Sequence, residues 1–285
     1  MSNVLVVDIG TQSMRGIIFD EHGNLLVKEQ IKYKPYLAPE NGFMEQDQQM
    51  YEDAMFGILR TITANHPDFV KDVVAMSVDA FRDTTVLLDE HNKPVRNTIL
   101  WSDQRTADVS KKLPLKQRFL FKLVGMDRAI RAIRRKTKSR WVQQHEPEVW
   151  ARVKKVVCFS AYMNSLLVGK LVDCYASSMG HIPFDNKGKK WMGKHSLLFP
   201  VFDLTAEQVE IPLFAPGEVM GYVTAEAAAK SGLPEGLRVI ASGSDKGCET
   251  IGVGCLERNT ASVSFGTSSS VQFTTDKYFE PEPFM

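Results

Sequence analysis

Apolar residues crowd the start of the chain. VLVVDIG, residues 4–10, is nearly unbroken hydrophobic sequence, the pattern of a strand buried on both faces. GIIFDEHGNLLVKEQIKY then predicts two strands joined at a His22-Gly23-Asn24 turn. A loop broken by Pro35, Pro39 and Gly42 leads into a helix. There Met50, Tyr51, Ala54, Met55, Ile58, Leu59 and Ile62 recur at helical spacing, with Asp47 as N-cap and Pro67 beyond the end. VVAMSVDA, TTVLLDE and TILWSD predict three further strands, the last two separated by an HNKP turn. After Asp103 the pattern turns helical, with apolar periods over 115–124, 138–155 and 158–168, and Pro147 in a first turn. Residues 170–200 are irregular, and a short helix starts near Thr205. AEAAAKSG predicts a helix capped by Thr224 and closed by Gly232. LRVIASGSD reads as strand into turn, ETIGVGCL as a helix carrying glycines, ASVSFG as the last clear strand, and DKYFEPEPFM as an extended tail. The whole is a mixed α/β pattern.

Composition narrows this picture modestly. At 285 residues the chain can build two modest domains or one large one. A formal charge of +1 provides no bulk field for nucleic acid or membrane partners. The N-terminus lacks the basic and small-residue features of a signal peptide, so a cytoplasmic location is the default. Cys158, Cys174, Cys248 and Cys255 form no CxxC pair and read as buried free thiols. The basic run RAIRRKTKSRW, 131–141, and the lysines of 186–194 read as a solvated helix face or loop and a mobile surface loop.

Chemistry gathers at turns. VVDIGTQS and ASVSFGTSSS are the same device, a strand running into Gly-Thr and a small hydroxyl residue. Gly10, Thr11 and Ser13 in the first, and Gly266, Thr267 and Ser268 in the second, offer close backbone approach and hydroxyl donors to a phosphate. Arg15 can add a positive contact. Asp8 would repel a phosphate unless Mg²⁺ or its water shell lay between. Alternatively, Asp8 and Gly10 simply make a tight turn. Asp245, at the start of a helix, can accept a hydroxyl proton as general base or serve as N-cap, and the helix N-terminus favours its charged form. Arg82 and Asp83 lie between two apolar strands. They would face opposite sides of a strand or stand exposed on a turn, and as a pair they can grip polyol hydroxyls. Asp103 caps a helix in this reading, with Arg105 opposing the macrodipole in its first turn, a hint of a specific partner.

Taken in order, VVDIGTQSMRGIIFDEHG, NGFMEQD, VDAFRDTTVLLDEHNKPVRNTILWSDQRT, EPEVWARVKKV, VDCYASSMGHIPFD, GEVMGYVTAEAAAKSGLPEG and ASGSDKGCETIGVG resemble the FGGY carbohydrate kinases. The resemblance implies an actin-like, ribonuclease-H-type fold with two lobes, MgATP as cofactor and γ-phosphoryl transfer to a sugar or polyol hydroxyl. On it, 1–240 form the sugar-binding lobe and 241–285 begin the ATP-binding lobe. Asp8, Gly10, Thr11, Ser13 and Arg15 match the first phosphate motif, Gly266, Thr267 and Ser268 the second, and Asp245 the base. Asp8 and Asp245 would meet Mg²⁺, through water. Arg82 and Asp83 match the Arg-Glu pair of glycerol kinases, Asp83 one methylene shorter. Lys246 stands where Gln or Asn is common and can bind an anionic substrate. Ile133 falls near the place of an aromatic that closes the glycerol site, which points to another polyol or sugar. Members of the family often form dimers or tetramers and run to about 500 residues. The chain thus reads as a fragment, a truncated form or a split-gene product, inactive alone. The alternatives are a non-catalytic module that binds a sugar or a partner chain, and an actin-like ATPase without a sugar substrate.

Overall fold

The computed structural model describes residues 2–34, 36–110, 112–178, 180–196, 198–265 and 269–279. The chain opens with β1 (Asn3–Ile9), β2 (Ser13–Phe19), β3 (Leu25–Lys32), β4 (Glu45–Gln46), α1 (Gln48–Asn65), α2 (Pro67–Val70) and β5 (Val73–Ala80). Next come β6 (Thr85–Leu88), β7 (Thr98–Ile99), α3 (Leu115–Leu123), α4 (Asp127–Lys136), α5 (Lys138–His145), α6 (Pro147–Trp150), β8 (Lys155–Cys158) and α7 (Phe159–Val168). The short pieces β9 (Asp173–Cys174), β10 (Phe184–Asp185), β11 (Lys190–Trp191), α8 (Ala206–Val209) and β12 (Leu213–Phe214) follow. Last are β13 (Val219–Tyr222), α9 (Ala225–Ser231), β14 (Arg238–Ile240), α10 (Asp245–Gly252), β15 (Ala261–Phe265) and β16 (Ser269–Phe273).

A six-stranded mixed sheet, ordered β13-β14-β5-β1-β2-β3, forms the frame. β1, β5 and β14 run parallel, while β2, β3 and β13 are antiparallel to their neighbours. Alternation along β1 sends Leu5, Val7 and Ile9 into the core beneath α1 and α7, and turns Val4, Val6 and Asp8 to the other face. Helix α1 lies across β2 and β3, with Tyr51, Met55, Ile58, Leu59 and Ile62 buried. Gly16 permits that approach, since a Cβ there would stand 2.5 Å from Ile62 Cδ1. A second sheet, β4-β7-β6-β8, is antiparallel throughout and packs with α3–α5 around a separate apolar cluster.

Two predicted caps are present as expected. Asp47 accepts from Gln49 N–H, and α9 runs from a Thr224 cap to Gly232 at φ +77°. Four expectations fail. Residues 103–110 and 112–114 are not helical, so Asp103 caps no helix. The helical period over 138–155 breaks into α5 and α6, and Lys155 opens strand β8. The basic run is largely helical, but Arg134 and Arg140 are buried; Arg140 pairs with Asp203 and donates to Val201 O at 3.1 Å. Around 184–191 the chain forms a small hairpin, with Phe184 and Trp191 in edge contact, rather than a plain loop. All four cysteines are free. Among the described residues no helix is long and apolar enough to cross a membrane.

Asp173 shows how burial tunes stability. Its carboxylate accepts from Ser160 Oγ at 2.7 Å and from Cys174 N–H at 2.8 Å in a fully buried site. Burial pushes its pKa up from 3.8 to about 7, against the pull of those two donors. Between those values the folded chain holds a proton that the unfolded chain has released. Stability therefore falls as pH rises through this window and levels off above it, a span on the order of 4 kcal/mol. Asp173→Asn should flatten that limb in urea titrations across pH; an unchanged slope would show that Asp173 is not its source.

Candidate functional site

The sheet brings three carboxylates to one place. Asp8 is next to last in β1 and is the register partner of Asp79, next to last in parallel β5. A parallel bridge, Ala80 to Ser244, prolongs the strand line to the start of α10. Ser244 caps that helix, its hydroxyl accepting from Gly247 N–H at 3.3 Å, so Asp245 is the first helical residue and not the N-cap. Asp79 is nine-tenths buried and its Oδ1 has no hydrogen-bond partner among the described residues; Asp245 Oδ1 is likewise buried and unpartnered. Burial, with the Asp8 and Asp245 charges beside it, pushes Asp79 up to about 8. Asp245 is also raised. Burial outweighs the Lys246 backbone N–H and the Lys246 and Arg82 charges, which pull it down. Desolvation thus works against the helix N-terminus, and the net shift is upward.

Asp8 is already balanced. Arg15 faces it across the β1/β2 register and donates Nη1 to Asp8 Oδ2 at 2.6 Å. In the first turn Gly10 N–H bonds Ser13 O at 3.0 Å, which closes the turn and leaves Gly10 to give close approach rather than a donor. Thr11 Oγ1 accepts from Trp101 Nε1 at 3.0 Å, so its own O–H can point outward. Ser13 is buried and accepts from Gln30 Nε2 at 2.9 Å. The second motif, Gly266, Thr267 and Ser268, lies outside the described residues.

Arg82 and Asp83 occupy a bend between β5 and β6. Arg82 is exposed and close enough to lower the pKa of Asp245. Asp83 takes a left-handed φ of +57°, and its Oδ1 accepts from His181 N–H at 3.1 Å and meets His181 Nδ1 at 2.7 Å. Gly180 makes this contact possible: a Cβ there would stand 2.7 Å from Asp83 Oδ1 and 2.8 Å from Asp83 Cα. Gly180→Ala should therefore displace Asp83 while leaving the distant core intact. An unaltered Asp83–His181 pairing in the variant's crystal structure would contradict that.

Lys246 is engaged. Its Nζ donates to Glu249 at 2.6 Å and to Ser264 Oγ at 3.0 Å, tying α10 to β15. Arg105 does have specific partners, though no helix dipole is involved. It is buried against Asp103 and Glu45, both at 2.8 Å, with its guanidinium over Phe43 and Trp141. Lys138 joins this network, donating to Asp103 O at 2.6 Å and to Arg105 O at 3.2 Å.

The carboxylate oxygens suit a hard cation such as Mg²⁺. Among the described residues no three acidic, His or Cys side chains converge closely enough to hold a metal directly. Asp79 and His181 escape the sequence reading. The only signal for Asp79 is a carboxylate inside the apolar run VVAMSVDA, and His181 sits in an irregular stretch.

Residues 3–252 match the FGGY family of carbohydrate kinases, N-terminal domain. The chain is 30% identical over 273 residues to a xylulose kinase of Lactococcus lactis subsp. lactis (strain IL1403), covering 95% of this chain and 53% of that one. The solved xylulose kinase of Lactobacillus acidophilus superposes with a TM-score of 0.79 at 21% identity, over 99% of this chain and 56% of that one. The gluconate kinase of Lactobacillus acidophilus gives 0.79 at 21% identity, over 98% and 56%. The chain spans about half the length of the curated relatives it matches. The fold is the actin-like one of these structures. With residues 3–252 of its 285 matched by that domain, the chain belongs to the FGGY family of carbohydrate kinases.

Proposed function

We propose that this chain is the substrate-binding half of a cytoplasmic kinase that moves the γ-phosphoryl of MgATP to a hydroxyl of a sugar or polyol. Residues 241–285 begin the ATP-binding half. The observation that supports this most is the convergence of Asp8, Asp79 and Asp245 at the ends of β1 and β5 and the start of α10, with Arg82 beside Asp245. Phosphoryl transfer asks mainly for positioning and charge neutralisation, so a carboxylate next to a hydroxyl-gripping cation is the necessary pairing.

In this reading Asp245 accepts the proton of the attacking hydroxyl, and its raised affinity for protons makes it a better base than an exposed carboxylate. Asp83, held by His181, accepts from a second hydroxyl while Arg82 donates. Thr11 donates its O–H to a phosphate oxygen, Gly10 lets the backbone come close, and Arg15 balances Asp8. Ser13, being buried, supports the turn from beneath. Gly266, Thr267 and Ser268 form the second phosphate contact. Mg²⁺, met through water by Asp8 and Asp245, would offset the phosphate charge. Lys246, tied to Ser264, holds β15 against α10 and adds positive potential near the acceptor.

Thermal shifts with D-xylulose, gluconate and glycerol, with and without MgATP, test the reading. A sugar-dependent rise that vanishes in Asp83→Ala is expected. No rise with any polyol or sugar would overturn it. Stabilisation by sugar in a full-length protein that never transfers phosphate would instead support a non-catalytic sugar-binding module.

A further inference from the structure

Helix α3 is oriented against expectation. Leu115, Phe119 and Leu123 are 79%, 68% and 71% exposed, while Phe121 on the opposite side is buried. At 3.6 residues per turn the three exposed side chains fall within an arc of about 80°. Lys116 borders that arc on one side, and Lys122 and Arg118 border it on the other. Scattered exposed leucines need no explanation, but a continuous apolar stripe rimmed by cations does.

A second observation adjoins it. Arg118 also lines an open cleft of roughly 210 Å³ between Val109, Ser110 and Leu113 on one side and α4 on the other, with Lys112, Arg131 and the buried Arg134 on its walls and Asp127 as its carboxylate. From Lys112 to Lys136 there are nine basic residues and one acidic residue, a formal +8 in a chain whose net charge is +1. Arg134 is buried and the other eight basic residues are exposed, so near-neutrality of the whole hides a strongly basic stretch.

We propose that α3 and the neighbouring α4 cleft dock on an anionic lipid bilayer. Leu115, Phe119 and Leu123 enter the headgroup boundary, the bordering lysines reach outward to lipid phosphates, and the cleft receives one anionic headgroup. A basic amphipathic helix with an apolar face is the recognised form of an interfacial anchor. Charge complementarity selects this occupant over a second copy: two-fold pairing would set the exposed Lys116, Arg118 and Lys122 against their own copies.

Co-sedimentation of the full chain with sucrose-loaded vesicles tests this. Vesicles of phosphatidylcholine with roughly a third phosphatidylglycerol should bind the chain at low salt and release it at high salt, while pure phosphatidylcholine binds little. Lys116→Gln and Lys122→Gln should each weaken binding about fivefold. Phe119→Ser should weaken it at least about tenfold. Since these side chains are exposed, melting temperatures should stay at the wild-type value. Equal partition onto neutral and anionic vesicles, wild-type binding by these variants, or no binding at low salt would overturn the proposal. So would full displacement of the chain by glycerol phosphate at concentrations too low to screen charge, which would assign the cleft to a free phosphate. Dimerisation abolished by Phe119→Ser would assign the stripe to a second copy.

Discussion

Replacing Asp103 with alanine is expected to destabilise the chain by about 3–5 kcal/mol, the cost of leaving a buried cation uncompensated. Asp103 accepts from Met44 N–H at 2.7 Å and from Arg105 N–H and Nε–H, each at 2.9 Å, and it also meets Lys138. Burial pushes this carboxyl up, but the Arg105, Met44 and Lys138 contacts prevail and hold it below its ordinary value. Arg105 is walled in by Phe43 and Trp141, so water cannot take over when the carboxylate goes. Glu45 remains beside Arg105 but is shared with Arg96, which also pairs with Glu146. Asp103→Asn should cost less, because an amide oxygen still accepts from Met44. Urea unfolding checks this, and a change below about 1 kcal/mol for Asp103→Ala would show that the network is not buried as described.

Much of the frame is visible in the sequence because it is local. Asp47, Thr224 and Gly232 announce their helix ends, and the apolar run of β1 announces a central strand. The misreadings occur where tertiary contacts override local pattern. KVVC at 155–158 continues the apolar period of the preceding helix, yet it pairs with β6. The 103–114 segment follows a plausible cap, but the Asp103 side chain is spent on Met44 and Arg105 rather than on a helix. Within the candidate site, Asp8, Arg15, Asp83 and Asp245 stand out as charges at strand or helix ends. The Asp8–Asp79 juxtaposition depends on parallel β1/β5 register, and Asp83–His181 joins residues 98 apart, so neither is legible along the chain. Likewise, net charge conceals the +8 of 112–136 because acidic residues elsewhere cancel it.

The largest effect on activity is expected at Asp245. Its carboxylate is the one at this site that heads a helix, stands beside Arg82, and has a buried oxygen without a hydrogen-bond partner. An amide there keeps the size and loses the proton acceptor. Asp245→Asn should then lower the rate by about 10²–10⁴, with sugar affinity changed far less. The burial that raises its pKa is a cost only to the charged form, so the variant should fold with undiminished stability.

The most direct test is transfer of labelled γ-phosphate from MgATP to a sugar that stabilises the chain. It is measured in the full-length protein carrying these residues, wild type against Asp245→Asn. A labelled sugar phosphate is expected with the wild type, and a loss of at least about a hundredfold with the variant. Transfer at the wild-type rate by Asp245→Asn, or no transfer by the wild type to any sugar it binds, would contradict it.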